Sequence, residues 1–130
     1  MNHVISLYFE SELENTLCRA WNRLSGIGLE NLADASGGTV RPHITLAAYT
    51  DIIDVDGLAK GFFSYAGQCK PLTISYQSIG LFGVEESVLF FAPTVTHELL
   101  AIHERLHQHL SDFAEYADKY YTVKQWVPHS

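Results

Sequence analysis

The sequence predicts an α+β fold of largely antiparallel sheets with flanking helices, in a single domain spanning residues 1–130. Three observations carry that expectation. Strand-like apolar runs and helically spaced stretches follow the order strand, helix, strand, helix, strand, strand, helix, strand, which mixes hairpins with crossovers. A length of 130 residues suits one domain with a real core. A composition of 47% hydrophobic, 18% charged and 12% aromatic residues, with no low-complexity tract, is that of an ordinary globular chain.

Taken in order, residues 3–9 read as a buried strand. Ser11-Glu12-Leu13-Glu14 has the form of a capping box, and Leu13, Leu17, Ala20, Trp21 and Leu24 follow at helical spacing until Gly26 and Gly28 stop the helix. Residues 29–38 read as a loop, and 39–49 as a strand in which Pro42 suits a start or an edge. Asp54 caps a second helix through about Tyr65, with Leu58, Phe62 and Tyr65 inward. Leu72 to Leu81 and Ser87 to Ala92 form a hairpin that turns over Gly83 to Glu86. Thr96 opens the longest helix, whose stripe is Leu99, Ile102, Leu106, Leu110, Phe113 and Ala117. Tyr120 to His129 leads into a last strand.

The formal net charge of −7 argues against a broad basic nucleic-acid surface, although a local site for one phosphate or an RNA end needs no such surface. Cys18 and Cys69 have neither metal-type nor redox-type spacing and read as reduced thiols. The N-terminus lacks a signal-peptide pattern, and no apolar run reaches the roughly 18 residues of a membrane span. A soluble, cytoplasmic chain with no membrane partner is expected.

Two Pro-His dipeptides carry the chemistry. The first lies in Arg41-Pro42-His43-Ile44-Thr45-Leu46-Ala47 and the second in Trp126-Val127-Pro128-His129-Ser130. On a strand, His43 and Thr45 share a face because side chains alternate with period two. That face offers a proton-transfer group and a hydroxyl to one phosphate; Arg41 could bind that phosphate or simply flank a strand edge, and Thr45 could be an ordinary strand residue. A second such strand bearing His129 would supply the other end of a phosphodiester displacement. The alternative for both histidines is a strand position hydrogen-bonded in or beside the core. Tyr8, Tyr49 and Tyr76 could line a base-stacking groove or simply fill the core.

A rival motif is His103-Glu104-Arg105-Leu106-His107, which matches the H-E-x-x-H metalloprotease pattern on a helix. His103 flanks the apolar stripe while His107 lies further round, and Asp112, Glu115 and Asp118 cannot all converge on one ion. The expectation is no metal and no cofactor.

At these residues the chain resembles the 2H phosphoesterase superfamily, in its 2′-5′ RNA ligase-like branch. The resemblance runs through the opening Val4-Ile5-Ser6-Leu7-Tyr8-Phe9, the Pro42-to-Ala47 motif, Ile79-Gly80-Leu81-Phe82, Leu89-Phe90-Phe91-Ala92-Pro93, the helix with Leu99 and Leu106, and Trp126-Val127-Pro128-His129. It implies two pseudo-symmetric lobes around a cleft in which two H-x-T/S motifs face each other. His43 and His129 are then the catalytic pair, with Thr45 supplying the first motif's substrate-binding hydroxyl. Ser130 stands at the middle position of the second motif, so the resemblance implies an incomplete second lobe, with its last elements and its second hydroxyl missing from this chain. A lobe cut there exposes a sheet edge, which invites a homodimer, and a 130-residue form is expected to be weaker than a longer one.

The implied activity is metal-independent phosphodiester chemistry on an RNA 2′,3′-cyclic phosphate end or a small cyclic nucleotide, or the reverse joining of RNA ends by a 2′-5′ bond. One histidine acts as general base and the other as general acid. The alternatives are a module that binds a nucleotide or RNA end without turning it over, and an interaction protein with a decayed site.

Overall fold

The computed structural model describes residues 2–83 and 87–130. Among the described residues, four strands and four α-helices follow in the order β1 (Asn2–Tyr8), α1 (Ser11–Gly26), α2 (Leu32–Ala35), β2 (His43–Thr50), α3 (Val55–Ala66), β3 (Tyr76–Phe82), β4 (Val88–Pro93) and α4 (His97–His109). The strands form two small sheets, β1 with β2 and β3 with β4, so the α+β expectation holds. The chain divides into two compact units, Ser6–Ile44 and a larger one of Met1–Ile5 with Thr45–Ser130.

In the smaller unit, α1 buries Leu17 and Trp21, two of the residues its spacing marked as inward. The capping box expected at its start does not form. The N-cap is Glu10, with no side-chain bond, and the Glu14 carboxylate instead receives the Arg41 guanidinium. A charge-assisted partner 27 residues away outcompetes a local backbone N–H. The far end of α1 closes as expected: Gly28 takes a φ of 86°, and the Leu29 and Gly28 N–H groups donate to the carbonyls of Leu24 and Ser25, each at 3.0 Å. Residues 29–38 are not all loop, because Asn31 accepts the Asp34 N–H at 3.1 Å and starts the single turn α2.

The larger unit is built on β2. From Ile44 to Tyr49 every residue of this strand is buried, so both its faces are covered although its sheet has only two strands. Beyond the motif end, the Asp118 N–H donates to the Ala48 carbonyl at 2.8 Å beside an antiparallel bridge between Tyr49 and Ala117. Helix α3 starts at the expected cap, where Asp54 accepts the Gly57 N–H at 2.8 Å. It meets α4 through the Tyr65 hydroxyl, which donates to the Ile102 carbonyl at 2.8 Å.

Helix α4 has its Thr96 cap and buries Leu99 and Leu106, with Leu110 buried just past its end. It is not the longest helix, with 13 residues against 16 in α1. Leu110 leaves helical geometry, with a ψ of 25°, and Ser111–Tyr116 continues as a tighter 3₁₀ turn. The apolar spacing of Phe113 and Ala117 therefore belongs to a different element.

The β3–β4 hairpin is antiparallel, with Ile79 opposite Phe91 and Leu81 opposite Leu89. Residues 84–86 of the turn expected there lie outside the described residues. Strand β3 begins at Tyr76, not Leu72, opposite Pro93, where β4 ends; a single further bond, from the Thr94 N–H to the Ser75 carbonyl at 2.7 Å, follows before the two segments part. The last strand expected from Tyr120 is also absent. Asp118 caps a 3₁₀ turn at Lys119–Tyr121 by accepting the Tyr120 N–H at 3.0 Å. Only at the end does the chain extend, where Ser130 exchanges two backbone bonds with Phe91, at 2.9 and 3.0 Å, on the outer edge of β4.

The start of α3 gives a test with a change of sign. Asp54→Ala costs about 1 kcal/mol through the lost cap. Gly57→Ala also destabilises the protein, because an added Cβ would overlap the Asp54 carboxylate. In the Asp54→Ala background that overlap is gone, and Gly57→Ala should raise the thermal midpoint, since alanine is favoured over glycine in a helix by about 1 kcal/mol. Thermal unfolding of the two single variants and the double variant reads this directly.

Candidate functional site

The first Pro-His motif enters β2 from the smaller unit. Pro42 is fully buried, which anchors the approach, while His43 remains half-exposed. The His43 Nδ1 lies 2.7 Å from the Arg41 carbonyl. A carbonyl can only accept, so Nδ1 carries the hydrogen and donates it. The reactive nitrogen left is Nε2, which accepts a proton when the ring is neutral and donates one when it is charged. The Tyr8 ring sits beside the imidazole with centroids 5.8 Å apart.

Arg41 is held in the same cluster. Its Nε and Nη2 donate to the two Glu14 carboxylate oxygens at 2.9 and 2.6 Å, and its guanidinium carbon lies 5.0 Å from the centre of the Tyr8 ring. The Arg41 guanidinium holds the Glu14 carboxyl below the usual carboxylate range, and Glu14 in turn raises Arg41. A guanidinium has five N–H donors, so two bonds to Glu14 leave three that can address an anion.

Thr45, two residues along β2 from His43, is 8% exposed. Its carbonyl accepts the Trp126 indole N–H at 2.9 Å, and the next carbonyl along the strand, that of Leu46, accepts from His107 Nε2 at 3.2 Å. Trp126 also stacks on His103, with centroids 3.8 Å apart and planes 5° from parallel. His103, in turn, donates from Nε2 to the Tyr121 carbonyl at 2.7 Å and is 2% exposed. Burial pushes the His103 imidazole down to about 4. The two H-E-x-x-H histidines thus brace the backbone of the first motif strand and of the segment that leads to the second. His103 lies inside the apolar stripe rather than on its flank. Among the described residues, no three histidine, cysteine, aspartate or glutamate side chains come together in a metal-holding group.

The second Pro-His motif repeats the geometry of the first. Pro128 is buried, His129 is half-exposed, and His129 Nδ1 donates to the Val127 carbonyl at 2.7 Å. This ring again presents Nε2 as its reactive atom. His129 stands edge-on to Phe82, with centroids 5.0 Å apart, and 6.4 Å from Tyr121. Beside it opens a cavity of about 450 Å³, walled by Phe82, Val88, Tyr121 and Val127, with Asp118 also on its lining.

Of the predicted site residues, Arg41 and His43 cluster with Tyr8 and Glu14 in the smaller unit, while Thr45 and His129 belong to the larger one. Among the tyrosines considered for stacking, Tyr8 is 58% exposed beside His43. Tyr49 is 1% exposed and is core. Tyr76 contacts Phe91 edge-on, and burial pushes its phenol up to about 12, opposed by a hydrogen bond with Ser130. Phe82, Tyr121 and Trp126 were missed. The signal for the last two was proximity in sequence, since Tyr121-Thr122-Val123-Lys124-Gln125-Trp126 leads directly into Val127-Pro128-His129.

The family model of the 2′-5′ RNA ligase superfamily matches residues 11–130. No curated protein and no solved structure gives a match.

Proposed function

Because the chain belongs to the 2′-5′ RNA ligase superfamily, we propose that it is a metal-independent phosphoesterase acting on RNA 2′,3′-cyclic phosphate ends, by hydrolysis or by 2′-5′ joining to a ribose hydroxyl. The observation that carries this reading is the repeated Pro-His geometry. Each proline is buried, each histidine is half-exposed, and each Nδ1 is tied at 2.7 Å to the carbonyl two residues back. Each ring thus has its Nε2 left to take or give a proton, and an acid–base pair uses two such groups in opposite protonation states.

In the hydrolytic direction, one neutral histidine takes a proton from the attacking water through Nε2. The new P–O bond forms as the bond to the departing ribose oxygen breaks, and the other histidine gives that oxygen a proton. In the joining direction a ribose hydroxyl replaces water as the nucleophile and the two rings keep these roles; they exchange them only when the 2′-5′ bond is cleaved back to the cyclic phosphate. Thr45 donates to a non-bridging oxygen as charge builds there. Arg41, with donors beyond those that hold Glu14, attracts the phosphate of the RNA end.

The matched span of residues 11–130 supports one domain of this family. No helix among the described residues is long and apolar enough to cross a membrane. Both cysteines are free thiols, which favours a reducing, cytoplasmic setting.

The test is hydrolysis of a nucleoside 2′,3′-cyclic phosphate with and without chelator. The expected result is the same rate in both, with a bell-shaped pH dependence. Loss of activity on chelation would overturn the metal-independent mechanism. Binding without turnover would make the protein a module that holds an RNA end.

A further inference from the structure

We infer that the cavity beside His129 is a guanine-selective base pocket, so that the preferred substrate is an RNA end or nucleotide carrying guanosine 2′,3′-cyclic phosphate. The inference deepens the phosphoesterase reading and rests on it for the word substrate. The pocket itself stands on its own geometry within the larger unit.

The cavity measures about 450 Å³, within the ordinary range for small-ligand sites of about 300–1,000 Å³. Its walls suit a flat ring. Phe82 and Tyr121 present aromatic surface, and Val88 and Val127 add apolar surface. Phe82 is itself stacked on Phe90, with centroids 4.2 Å apart, so its plane is fixed. Aromatic walls of this kind accept any base, since every base has a π face. Choice among bases must come from a polar group.

Among the described residues, Asp118 supplies the one carboxylate of the lining, which Tyr120 and Gln125 share as further polar residues. Its Oδ1 accepts the Tyr120 N–H at 3.0 Å, and its backbone N–H donates to the Ala48 carbonyl at 2.8 Å, so one bond holds the side chain and another its backbone. A carboxylate has about four acceptor positions, and the cap uses one. A carboxylate repels phosphate. The anionic part of a nucleotide is therefore directed to the His129 side and the base to Asp118.

The edges of the four bases then differ sharply. Guanine offers two adjacent donors, N1–H and the N2 amino group, which match the two oxygens of a carboxylate. Adenine and cytosine offer one amino group beside a ring nitrogen whose lone pair faces the carboxylate. Uracil offers one N–H between two carbonyls that do the same. An acceptor-only group selects guanine.

The probes are the uncharged nucleosides guanosine, adenosine, cytidine and uridine, titrated into the protein and followed by NMR shifts of the residues lining the cavity. Guanosine should bind roughly tenfold tighter than the others, as expected for hydrogen bonds to a charged group. Asp118→Asn keeps an acceptor for the Tyr120 N–H, and so keeps the turn, but should erase the guanosine preference and leave uridine unchanged. An unaltered thermal midpoint checks that the turn survives. Equal binding of the four nucleosides, or a guanosine preference that persists in Asp118→Asn, would overturn the inference. The four 2′,3′-cyclic phosphates separate the two readings. Hydrolysis of all four with equal kcat/KM retains the enzyme and removes the selectivity. Selective guanosine binding with no hydrolysis of any retains the pocket and removes the enzyme.

Discussion

Alanine at His43 or at His129 should lower the rate of 2′,3′-cyclic phosphate hydrolysis by about 10²–10⁴, the span typical of a general acid or base. Each substitution should also remove one limb of the bell-shaped pH–rate profile, because each deletes one titrating partner. The double variant should be little worse than the poorer single one, since the two groups act on one transition state and their effects do not add. Thr45→Ala should cost less than either. It removes one hydrogen bond to developing charge and leaves proton transfer in place.

The Nδ1 geometry sharpens the test. Asparagine at either histidine keeps a side-chain N–H near the position of Nδ1, within reach of the Arg41 or Val127 carbonyl that accepts at 2.7 Å, and deletes Nε2. If Nε2 is the reactive atom, the asparagine variants fold normally and are as inactive as the alanine variants. Asparagine variants that keep most of the rate would show that the histidines serve only to hold the loops. Single alanine variants within a few-fold of the wild type, with both limbs of the pH profile intact, would end the acid–base assignment.

What the sequence revealed divides along a physical line. Features set by residues close together were legible: the Asp54 and Thr96 caps, the Gly28 stop, the hairpin, and the two Pro-His motifs. Features set by distant partners were not. The Ser11/Glu14 box has the right spacing, yet Glu14 is taken by Arg41. The run from Tyr120 has strand-forming residues, yet no strand lies alongside it until Ser130 meets Phe91, and Asp118 satisfies the local N–H groups with a turn instead. The apolar spacing of the last helix continues past Leu110 because 3₁₀ and α turns bury similar positions over a few residues. His103 offered the most misleading signal. Its motif suggests a metal, and its position on the helix suggests a flank. Only the indole of Trp126, 23 residues away, shows why an imidazole is tolerated inside.

That burial makes His103 the main expected source of acid sensitivity near neutral pH. Its imidazole titrates at about 4 in the folded protein, against an ordinary value of 6.5. Below 6.5 the unfolded chain binds a proton there that the folded one does not, so stability is full above that pH and falls as the pH drops toward 4. A displacement of this size corresponds to about 3 kcal/mol lost across the window. The cause is desolvation. Nε2 is already committed to the Tyr121 carbonyl, so a second proton must enter at Nδ1, inside a 2%-exposed residue and near the His107 ring, whose centroid is 4.6 Å away. The indole face offsets part of that cost through its attraction for a cation. His103→Gln keeps an amide N–H for the Tyr121 carbonyl and cannot titrate. It should be less stable than the wild type at pH 7.5, through weaker stacking on Trp126, but its denaturation midpoint should fall less steeply between pH 6.5 and 4. Carboxylates protonate in both proteins, so the difference between the two pH curves isolates this residue. Parallel curves would place the acid sensitivity elsewhere. A converging pair would show that the histidine bracing Trp126, and through it the carbonyl of Thr45, is also what lets acid loosen the strand that carries the first motif.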